Sequence, residues 1–197
     1  MDDPASPRLI LASTSAYRRE LLGRLRVPFA SVPPACDEHR LPGEAAEALA
    51  ARLAALKAET VAARHPGCVV IGSDQVALRE HEVLGKPGSA ENCMAQLMQS
   101  SGHEVAFLTA VHVVDGRSGR AESHVDRTVV RFRTLEADEV ARYVAADAAL
   151  DCAGGFKAES LGIALFERIE SSDPTALTGL PLIWLSGALR RAGIPVP

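Results

Sequence analysis

Hydrophobic residues along this chain follow two different spacings. Short apolar runs bounded by turn residues predict buried strands, and these lie at 8–12, 29–32, 68–72, 104–114 and 121–132. Apolar residues three or four apart predict helices, and these lie at 17–25, 45–64, 89–99, 136–146 and 181–191. The segment 156–169 is typical of strand mixed with a glycine-containing turn.

Strands alternate with helices through most of the chain, as in an α/β protein with a largely parallel sheet. The exception is the pair of strands around 115–119, where the dipeptides Asp-Gly and Ser-Gly predict a hairpin. The sheet should therefore be mixed. The 197 residues suffice for a single α/β domain, 1–197, built as one body or as two closely packed lobes.

For the longest predicted helix and the strand that follows it, the sequence also predicts which residues are buried and where the strand ends. The helix should bury a stripe formed by Leu49, Leu53, Leu56 and Thr60. The strand at 68–72 is apolar and β-branched, so it should be buried on both faces. We expect it to end at a turn formed by Ser73-Asp74-Gln75.

The amino-acid composition indicates what kind of core the protein has and argues against some classes of function. Aromatic residues are 4% of the chain, so the core should be aliphatic and few rings remain to stack on a ligand. The formal net charge of −4 argues against a protein that binds nucleic acid through its phosphates, while leaving room for a local basic pocket. The four cysteines are scattered without zinc or redox spacing, so we expect them to be reduced and structural.

The chain is expected to be soluble and cytoplasmic, with no membrane partner. Its first residues, Met1-Asp2-Asp3-Pro4, are acidic and lack the apolar region of a signal peptide. No apolar run approaches the roughly 20 residues that a membrane-spanning helix needs.

The turn from the first strand into the first helix is a candidate phosphate site. Free backbone N–H groups and the helix dipole favour anions at a helix N-terminus. Ser13 and Ser15 are small enough for a phosphate to approach closely, and Arg18 and Arg19 add charge-assisted contacts. The same residues would also fit a capped helix with solvated arginines.

Other charged residues in the N-terminal half complete a set suited to phosphoryl chemistry. Asp74 follows a buried strand, where α/β proteins place ligands, although a lone Asp there could equally cap a turn. Glu38 adds a second acid, and Lys57 and Lys86 add two cations. Metal-assisted phosphoryl transfer uses acids for a hard cation and cations for a polyphosphate. The chain has no P-loop, dinucleotide-binding or nucleophile-elbow motif.

An ordered set of short segments resembles the Maf-like nucleotide pyrophosphatases over about residues 8–191. The set consists of Leu11–Ser15, Arg18–Leu22, Asp37-Glu38, Arg52–Ala54, Lys57-Ala58, Gly72–Asp74, Gly85–Pro87, Phe132-Arg133, Tyr143, Gly154 and Gly179–Leu182. Each piece is common by itself, and it is their order along the chain that is specific.

The resemblance implies a Maf/ITPase-like α/β fold, with a mixed elongated sheet flanked by helices and two lobes around a cleft. It also implies hydrolysis of a nucleoside triphosphate to the monophosphate and pyrophosphate, a divalent metal, typically magnesium, and a homodimer. Asp74 would be the catalytic carboxylate that activates water, and Glu38 with Asp74 would hold the metal. The phosphates would be bound by Ser13, Ser15, Arg18, Arg19, Lys57 and Lys86.

Three departures from the general family pattern resemble the subfamily that acts on 7-methyl-GTP. They are Tyr17 before the two arginines, Gln75 after the Asp, and Glu159 in Lys-x-Glu. The N7-methylated base is a cation, which gains about 0.5–2 kcal/mol over an aromatic face. A carboxylate accepts two adjacent guanine donors at roughly 1.5–3 kcal/mol each. Tyr17 and Glu159 would thus hold the base, unless Tyr17 packs on the core and Glu159 is solvated.

Two other functions remain open on the sequence. One is a pyrophosphatase for UTP, dTTP or CTP. The other is a non-catalytic, nucleotide-binding regulator of cell division, since the family that the chain resembles has been associated with septum formation. The set of Glu38, Lys57, Asp74 and Lys86 weighs against a regulator, because a binding protein needs no buried base.

Overall fold

A computed structural model of the protein describes residues 8–147 and 149–197. The segment Met1-Asp2-Asp3-Pro4, for which we expect no signal peptide, lies outside the described residues. Within the described part of the chain, no helix is both long enough and apolar enough to cross a membrane.

The described residues form five α-helices and one 3₁₀ helix. The α-helices are α1 (Ala16–Gly23), α2 (Ala46–Ala62), α3 (Ala90–Ser100), α4 (Ala137–Ala146) and α5 (Leu182–Arg191). The 3₁₀ helix spans Leu161–Leu165. All five α-helices lie where the apolar spacing predicts them. Ser89 caps α3, since its Oγ accepts a hydrogen bond from the backbone N–H of Asn92 at 3.2 Å.

Seven strands in the described part of the chain form one mixed sheet. They are β1 (Leu9–Leu11), β2 (Ala30–Ser31), β3 (Val69–Arg79), β4 (Glu82–Leu84), β5 (Glu104–Asp115), β6 (Arg120–Phe132) and β7 (Phe166–Glu170). Their order is β2-β1-β3-β5-β6-β7, with β4 paired to β3. β1 runs parallel to β2 and β3, whereas β4 and β7 are antiparallel to their partners. This confirms the predicted mixed α/β fold and the hairpin between β5 and β6.

The chain divides into two compact units. The first comprises residues up to Gln75 together with Thr109–Asp126 and Asp173–Pro197. The second comprises Val76–Leu108 and Arg127–Ser172. The long strands β3, β5 and β6 contribute residues to both units.

In the first unit, alternate residues of β3 face two different sets of helices, as the two-residue period of a strand requires. Val69 and Ile71 pack in the cluster that includes Leu22 of α1 and Leu185 of α5. Val70 packs in the other cluster, against α2. Residues 72 and 74 therefore point towards α2, and residues 73 and 75 point away from it.

The buried face of α2 differs from the predicted stripe. Its buried residues are Ala46, Leu49, Ala50, Leu53, Ala54, Lys57, Ala58 and Val61. Leu56 and Thr60 are only half-buried, which corrects the expectation that they belong to the core. The positions of α2 that face β3 are instead occupied by small alanines such as Ala54 and Ala58, because the backbone of β3 lies very close to this helix.

The core of the second unit contains a cluster of aromatic rings, which corrects the expectation of an aliphatic core. The ring of Phe156 makes edge-to-face contacts with Phe107, Phe132 and Phe166 at centroid distances of 5.3, 5.7 and 4.7 Å. Such pairs contribute about 0.5–1.5 kcal/mol each beyond the area that they bury. A low aromatic content is therefore compatible with a local aromatic cluster.

The strand β3 does not end where the sequence predicts. It continues through Ser73-Asp74-Gln75 to Arg79, so these three residues lie within a strand and not in a turn. Polar residues can occupy a buried strand when they have hydrogen-bond partners. Ser73 and Gln75 donate to backbone carbonyls of a neighbouring segment, and Asp74 accepts from Lys57.

Candidate active site

The parallel pairing of β1 with β3 determines which residues meet at one edge of the sheet. Leu11 ends β1 and lies opposite Ile71 of β3. The chain then turns through Ser13 into α1, whereas β3 continues past Ile71 to Asp74. The turn and Asp74 therefore lie beyond the carboxyl end of β1, where α/β proteins bind ligands.

Lys57 lies between two carboxylates. Its Nζ atom is 2.7 Å from Oδ1 of Asp74 and 2.6 Å from Oε2 of Glu38. Lys57 and Asp74 are buried, whereas half of the Glu38 side chain is exposed. A buried ammonium needs such partners, because burying an unpaired charge is costly. Lys57, Asp74 and Glu38 together carry one positive and two negative charges, and the two carboxylates also act on the nearby cation of Arg18.

The close approach of β3 to α2 brings Lys57 to Asp74. A Cβ added at Gly72 would lie 2.6 Å from the backbone nitrogen of Ala58 and 2.9 Å from its Cβ. Only glycine allows this separation. Lys57 directly precedes Ala58, and Asp74 points to the same face of β3 as Gly72, so the two side chains meet.

The turn between β1 and α1 has the features of an anion site. The hydroxyl of Ser13, which is buried, accepts a hydrogen bond from the backbone N–H of Ser15 at 3.1 Å. The hydroxyl of Ser15 accepts from the backbone N–H of Arg18 at 3.3 Å and caps α1. A hydroxyl that accepts can still donate its own proton, so both serines can bind a phosphate oxygen.

Arg18 is oriented by a backbone carbonyl. Its Nε donates to the oxygen of Gly179 at 3.0 Å. Burial lowers the pKa of the Arg18 guanidinium, while the carboxylates of Asp74 and Glu38 act in the opposite direction. Because arginine remains protonated in proteins, this pKa shift identifies a poorly solvated cation that would gain from an anionic ligand.

The two neighbours of Arg18 on the first turn of α1 have different exposures. Arg19 is exposed, and Tyr17 is half-buried. Both follow the helix N-cap, so both extend from the segment that carries the anion site. The partial burial of Tyr17 is compatible both with a contact to the base and with the alternative that it packs on the core.

Gln75 uses its amide within the protein. Its Nε2 donates to Oγ1 of Thr109 at 2.9 Å and to the carbonyls of Ala176 and Leu177 at 3.1 and 3.0 Å. Gln75 also points to the opposite face of β3 from Asp74. Its amide nitrogen is therefore committed to the segment that precedes α5, which sequence reasoning did not anticipate.

The segment that carries Glu38 is fastened to α2 by Arg52. The guanidinium of Arg52 makes two bonds to the carboxylate of Glu44, at 2.6 and 2.8 Å, and donates to the carbonyl of His39 at 3.0 Å. The bonds from Arg52 hold the pKa of Glu44 at about 2. The sequence alone assigns no role to Arg52. Its partner Glu44 lies eight residues earlier and outside α2, so no helical spacing connects the two.

Two of the predicted site residues belong to the second unit. Lys86 is exposed in the connection between β4 and α3, and Glu159 is exposed in the turns before the 3₁₀ helix. In the same unit, the backbone N–H of Lys157 donates to the hydroxyl of Tyr143 at 3.4 Å. Burial raises the pKa of the Tyr143 hydroxyl, so this tyrosine stays neutral.

Glu38 and Asp74 supply carboxylate oxygens, the ligands that a hard divalent cation prefers. Mg²⁺ is usually bound by one or two carboxylates together with water and substrate phosphates. Oδ1 of Asp74 and Oε2 of Glu38 both contact Nζ of Lys57, so the ammonium occupies the point between them and a cation would be held through the other carboxylate oxygens. Residues 8–147 and 149–197 contain no cluster of three or more His, Cys, Asp or Glu side chains that could enclose a metal without a substrate.

No disulfide joins the four cysteines, all of which lie in the described part of the chain. Cys36 lies near the acidic cluster. Partial burial, followed by the charge of Glu38, raises the pKa of its thiol, although Lys57 acts in the opposite direction. A thiol with a raised pKa is a poor nucleophile at neutral pH, so Cys36 is not a candidate for the reacting group.

Comparison with known proteins connects this geometry to a family. The model of the Maf-like proteins matches residues 8–192. A 7-methyl-GTP pyrophosphatase of Xanthomonas campestris pv. campestris (strain 8004) is 56% identical over 191 residues, covering 97% of this chain and 99% of the relative. A protein of the same name from Cupriavidus metallidurans is 49% identical over 195 residues, covering 99% of this chain and 98% of the relative.

Among solved structures, the Staphylococcus aureus Ham1 protein aligns with a TM-score of 0.46 and 15% identity over 64% of this chain and 72% of that one. That similarity is too low to support an argument. The match to the family model covers almost the whole described chain, and the two relatives align over their full length. This chain therefore belongs to the Maf family.

Proposed function

We propose that this protein hydrolyses 7-methyl-GTP to 7-methyl-GMP and pyrophosphate. The observation that carries the proposal is the buried Lys57 between Asp74 and Glu38, beside the capped N-terminus of α1. Membership of the Maf family and the names of the relatives from Xanthomonas and Cupriavidus support the choice of substrate.

The triphosphate would be bound by cations and by hydrogen-bond donors at the start of α1. The hydroxyls of Ser13 and Ser15 and the guanidinium of Arg18 lie on this short segment, and Arg19 extends from it. The donors of Arg18 other than Nε are available to phosphate oxygens. Lys57 and Lys86 supply further positive charge. Phosphoryl transfer depends largely on such positioning and charge stabilisation.

Asp74 would accept the proton of the attacking water. Its Oδ1 accepts from Lys57, which leaves Oδ2 to take the proton as the water oxygen bonds to the α-phosphorus. The bond from that phosphorus to the bridging oxygen breaks, and pyrophosphate leaves with this oxygen. A divalent cation held by Glu38 and Asp74 would neutralise charge on the triphosphate when bound.

The base would be selected by its positive charge. Tyr17 is half-buried at the start of α1, so part of this residue is accessible to solvent. A methylated guanine over that ring gains the attraction of a cation for an aromatic face. Glu159 is exposed and would accept the two adjacent guanine donors. Gln75 would act on specificity indirectly, because its amide nitrogen is used within the protein.

Three further expectations belong to this proposal. The cation is magnesium, the protein acts as a homodimer without a nucleic-acid or membrane partner, and it works in the cytoplasm. The resemblance to the Maf-like pyrophosphatases supports the magnesium ion and the homodimer, and the net charge of −4 and the lack of long apolar runs support the other expectations. Sedimentation equilibrium tests the dimer, and a monomer at every concentration measured would remove it from the proposal.

A panel of triphosphates tests the activity and the substrate together. The purified chain is incubated with Mg²⁺ and 7-methyl-GTP, GTP, UTP, dTTP or CTP, and pyrophosphate is detected as phosphate after inorganic pyrophosphatase. We expect 7-methyl-GTP to give the highest kcat/KM. Asp74→Asn should lower kcat by about 10²–10⁴-fold, the usual contribution of a general base.

Asp138→Asn is the matched control, because Asp138 is exposed on α4 and should leave activity unchanged. Preference for UTP, dTTP or CTP would replace the proposed substrate with a pyrimidine nucleotide. No turnover of any triphosphate, with nucleotide still bound, would favour a non-catalytic regulator. Unchanged activity of Asp74→Asn would overturn the role of Asp74.

A further inference from the structure

A short turn before α5 accepts hydrogen bonds from Arg18 of the site and from Ser73, the neighbour of Asp74 on β3. The turn is Ala176–Gly179, in which the N–H of Gly179 donates to the oxygen of Ala176 at 2.8 Å. Gly179 has a φ of +111°, a conformation that favours glycine. The carbonyl of Gly179 accepts from Nε of Arg18 at 3.0 Å and from the hydroxyl of Ser73 at 2.9 Å.

Two side chains of the central strands hold the other end of this turn. The hydroxyl of Thr109, on β5, donates to the oxygen of Ala176 at 3.0 Å. The same hydroxyl accepts from Nε2 of Gln75, which also donates to the carbonyls of Ala176 and Leu177. Thr109 is completely buried, so water cannot replace these bonds.

The orientation of the Arg18 side chain depends on the position of the Ala176–Gly179 turn. Arg18 has a long side chain with several rotatable bonds, and its Nε is bonded to the turn. If the bond from Thr109 to Ala176 is removed, the turn keeps only the side-chain bonds from Gln75, Ser73 and Arg18, so the Gly179 carbonyl is held less firmly and can shift. Arg18 then loses its fixed acceptor. The contacts of Lys57 with Asp74 and Glu38 remain, because they lie on the other face of β3.

We propose that Thr109 is a positioning residue that orients Arg18 towards the triphosphate through the Ala176–Gly179 turn, with Gln75 as its partner. This inference rests on the proposed function, because Arg18 matters for turnover only if a triphosphate is the substrate. It also gives Gln75 a role other than contact with the base. Thr109 touches neither the substrate nor the reacting atoms.

Thr109→Val is the direct test, because it removes the hydroxyl and keeps the shape of the side chain. We expect kcat/KM for 7-methyl-GTP to fall about threefold to tenfold, the usual effect of one lost hydrogen bond, mainly through KM. Thr109→Ser restores the hydroxyl and should restore the parent value. Thr128→Val is the matched control, since Thr128 is also fully buried on a strand but its hydroxyl bonds to Ser171.

The kinetic effect must depend on Arg18. In an Arg18→Ala background, Thr109→Val should have no further effect on kcat/KM, because the group that it positions is gone. Equal effects of Thr109→Val with and without Arg18 would overturn the proposal. Gln75→Met replaces Thr109→Val in this cycle if the latter variant does not fold.

A second readout does not require activity. In an NMR spectrum of the Arg Nε–H groups, the Arg18 signal should be protected from solvent exchange in the parent protein and in Thr128→Val. It should lose this protection in Thr109→Val, and retained protection there would overturn the proposal. If the parent protein cleaves no triphosphate, the proposed function fails, and this signal still decides whether Thr109 holds Arg18.

Discussion

Lys57 is the residue whose surroundings differ most from a simple reading of the sequence. A lysine in the second half of a long helix is usually solvated, yet Lys57 is buried and contacts both acids of the site. Its ammonium group occupies the point on which Asp74 and Glu38 converge. It therefore keeps two like charges together, and those charges remain available to a triphosphate with its cation.

The preference for a methylated base depends on one aromatic residue. Tyr17→Ala removes the ring and should raise KM for 7-methyl-GTP about 2- to 30-fold more than KM for GTP, since a cation–π contact contributes about 0.5–2 kcal/mol. Tyr17→Phe keeps the ring and should keep the preference. Initial rates with both nucleotides measure the effect, and equal losses for the two substrates would argue against the cation–π contact.

At the scale of elements, the site depends on how closely β3 packs on α2. The face of α2 against β3 is rich in alanine, and β3 contributes Gly72 at the point of contact. This packing brings Lys57 from the helix to Asp74 on the strand. A change that separates the two elements should therefore affect the site even where it adds no polar group.

Gly72→Ala tests this dependence. The added methyl group would overlap the backbone of α2, so the helix must move, at a cost of at least about 1–3 kcal/mol. We expect a lower urea midpoint and a loss of activity greater than the loss of stability explains, because Lys57 moves with the helix. Urea unfolding and kcat at a temperature where the variant is folded measure the two effects.

Gly23→Ala is the matched control for that substitution. Gly23 lies in α1, and an added Cβ would meet no atom within 4 Å. Alanine is also the better helix former by about 0.8–1.0 kcal/mol in a helix interior. This variant should be as stable as the parent or more stable, with unchanged activity. Full activity in Gly72→Ala would show that the site tolerates movement of α2.

At the scale of the whole molecule, the proposed site residues are shared unequally between the two units. Ser13 to Arg19, Glu38, Lys57, Asp74 and Gln75 belong to the first unit. Lys86 and Glu159 belong to the second. The first unit has an aliphatic core around the sheet, and the second contains the phenylalanine cluster. The groups proposed to perform the chemistry are thus concentrated in one unit.

The stability of the molecule in acid should depend on the ion pair between Glu44 and Arg52. The folded-state pKa of Glu44, about 2, is below its ordinary value of 4.5. Its contribution is therefore fully present above about pH 4.5 and is lost as the pH falls towards 2. Glu44→Gln should lower the urea midpoint at pH 7 and have a smaller effect at pH 3.

The single tryptophan, Trp184, reports this unfolding by fluorescence, since it lies in α5 of the same unit as Glu44. Glu47→Gln is a suitable control, because Glu47 is exposed in the first turn of α2 and has no recorded ion pair among the described residues. An equal effect of Glu44→Gln at pH 7 and pH 3 would contradict the assigned pKa.

The sequence by itself determined the order of the helices, the hairpin and the mixed sheet, because these depend on local spacing and on turn residues. It also indicated the residue types needed for phosphoryl chemistry. Both kinds of information are carried by short segments, such as the capped start of α1 at Ser15. Only segments whose local pattern and final environment agree can be predicted in this way.

Only the tertiary structure decided which side chains meet. The sequence predicted that the strand ends at Ser73, but β3 continues to Arg79 because distant carbonyls satisfy its polar side chains. The pairing of Lys57 with Glu38 and Asp74 arises from separate elements that approach through Gly72. The same holds for Thr109, whose partner Ala176 is far away in the chain. Contacts of this kind have no periodicity in the sequence, so they become visible only when the chain is folded.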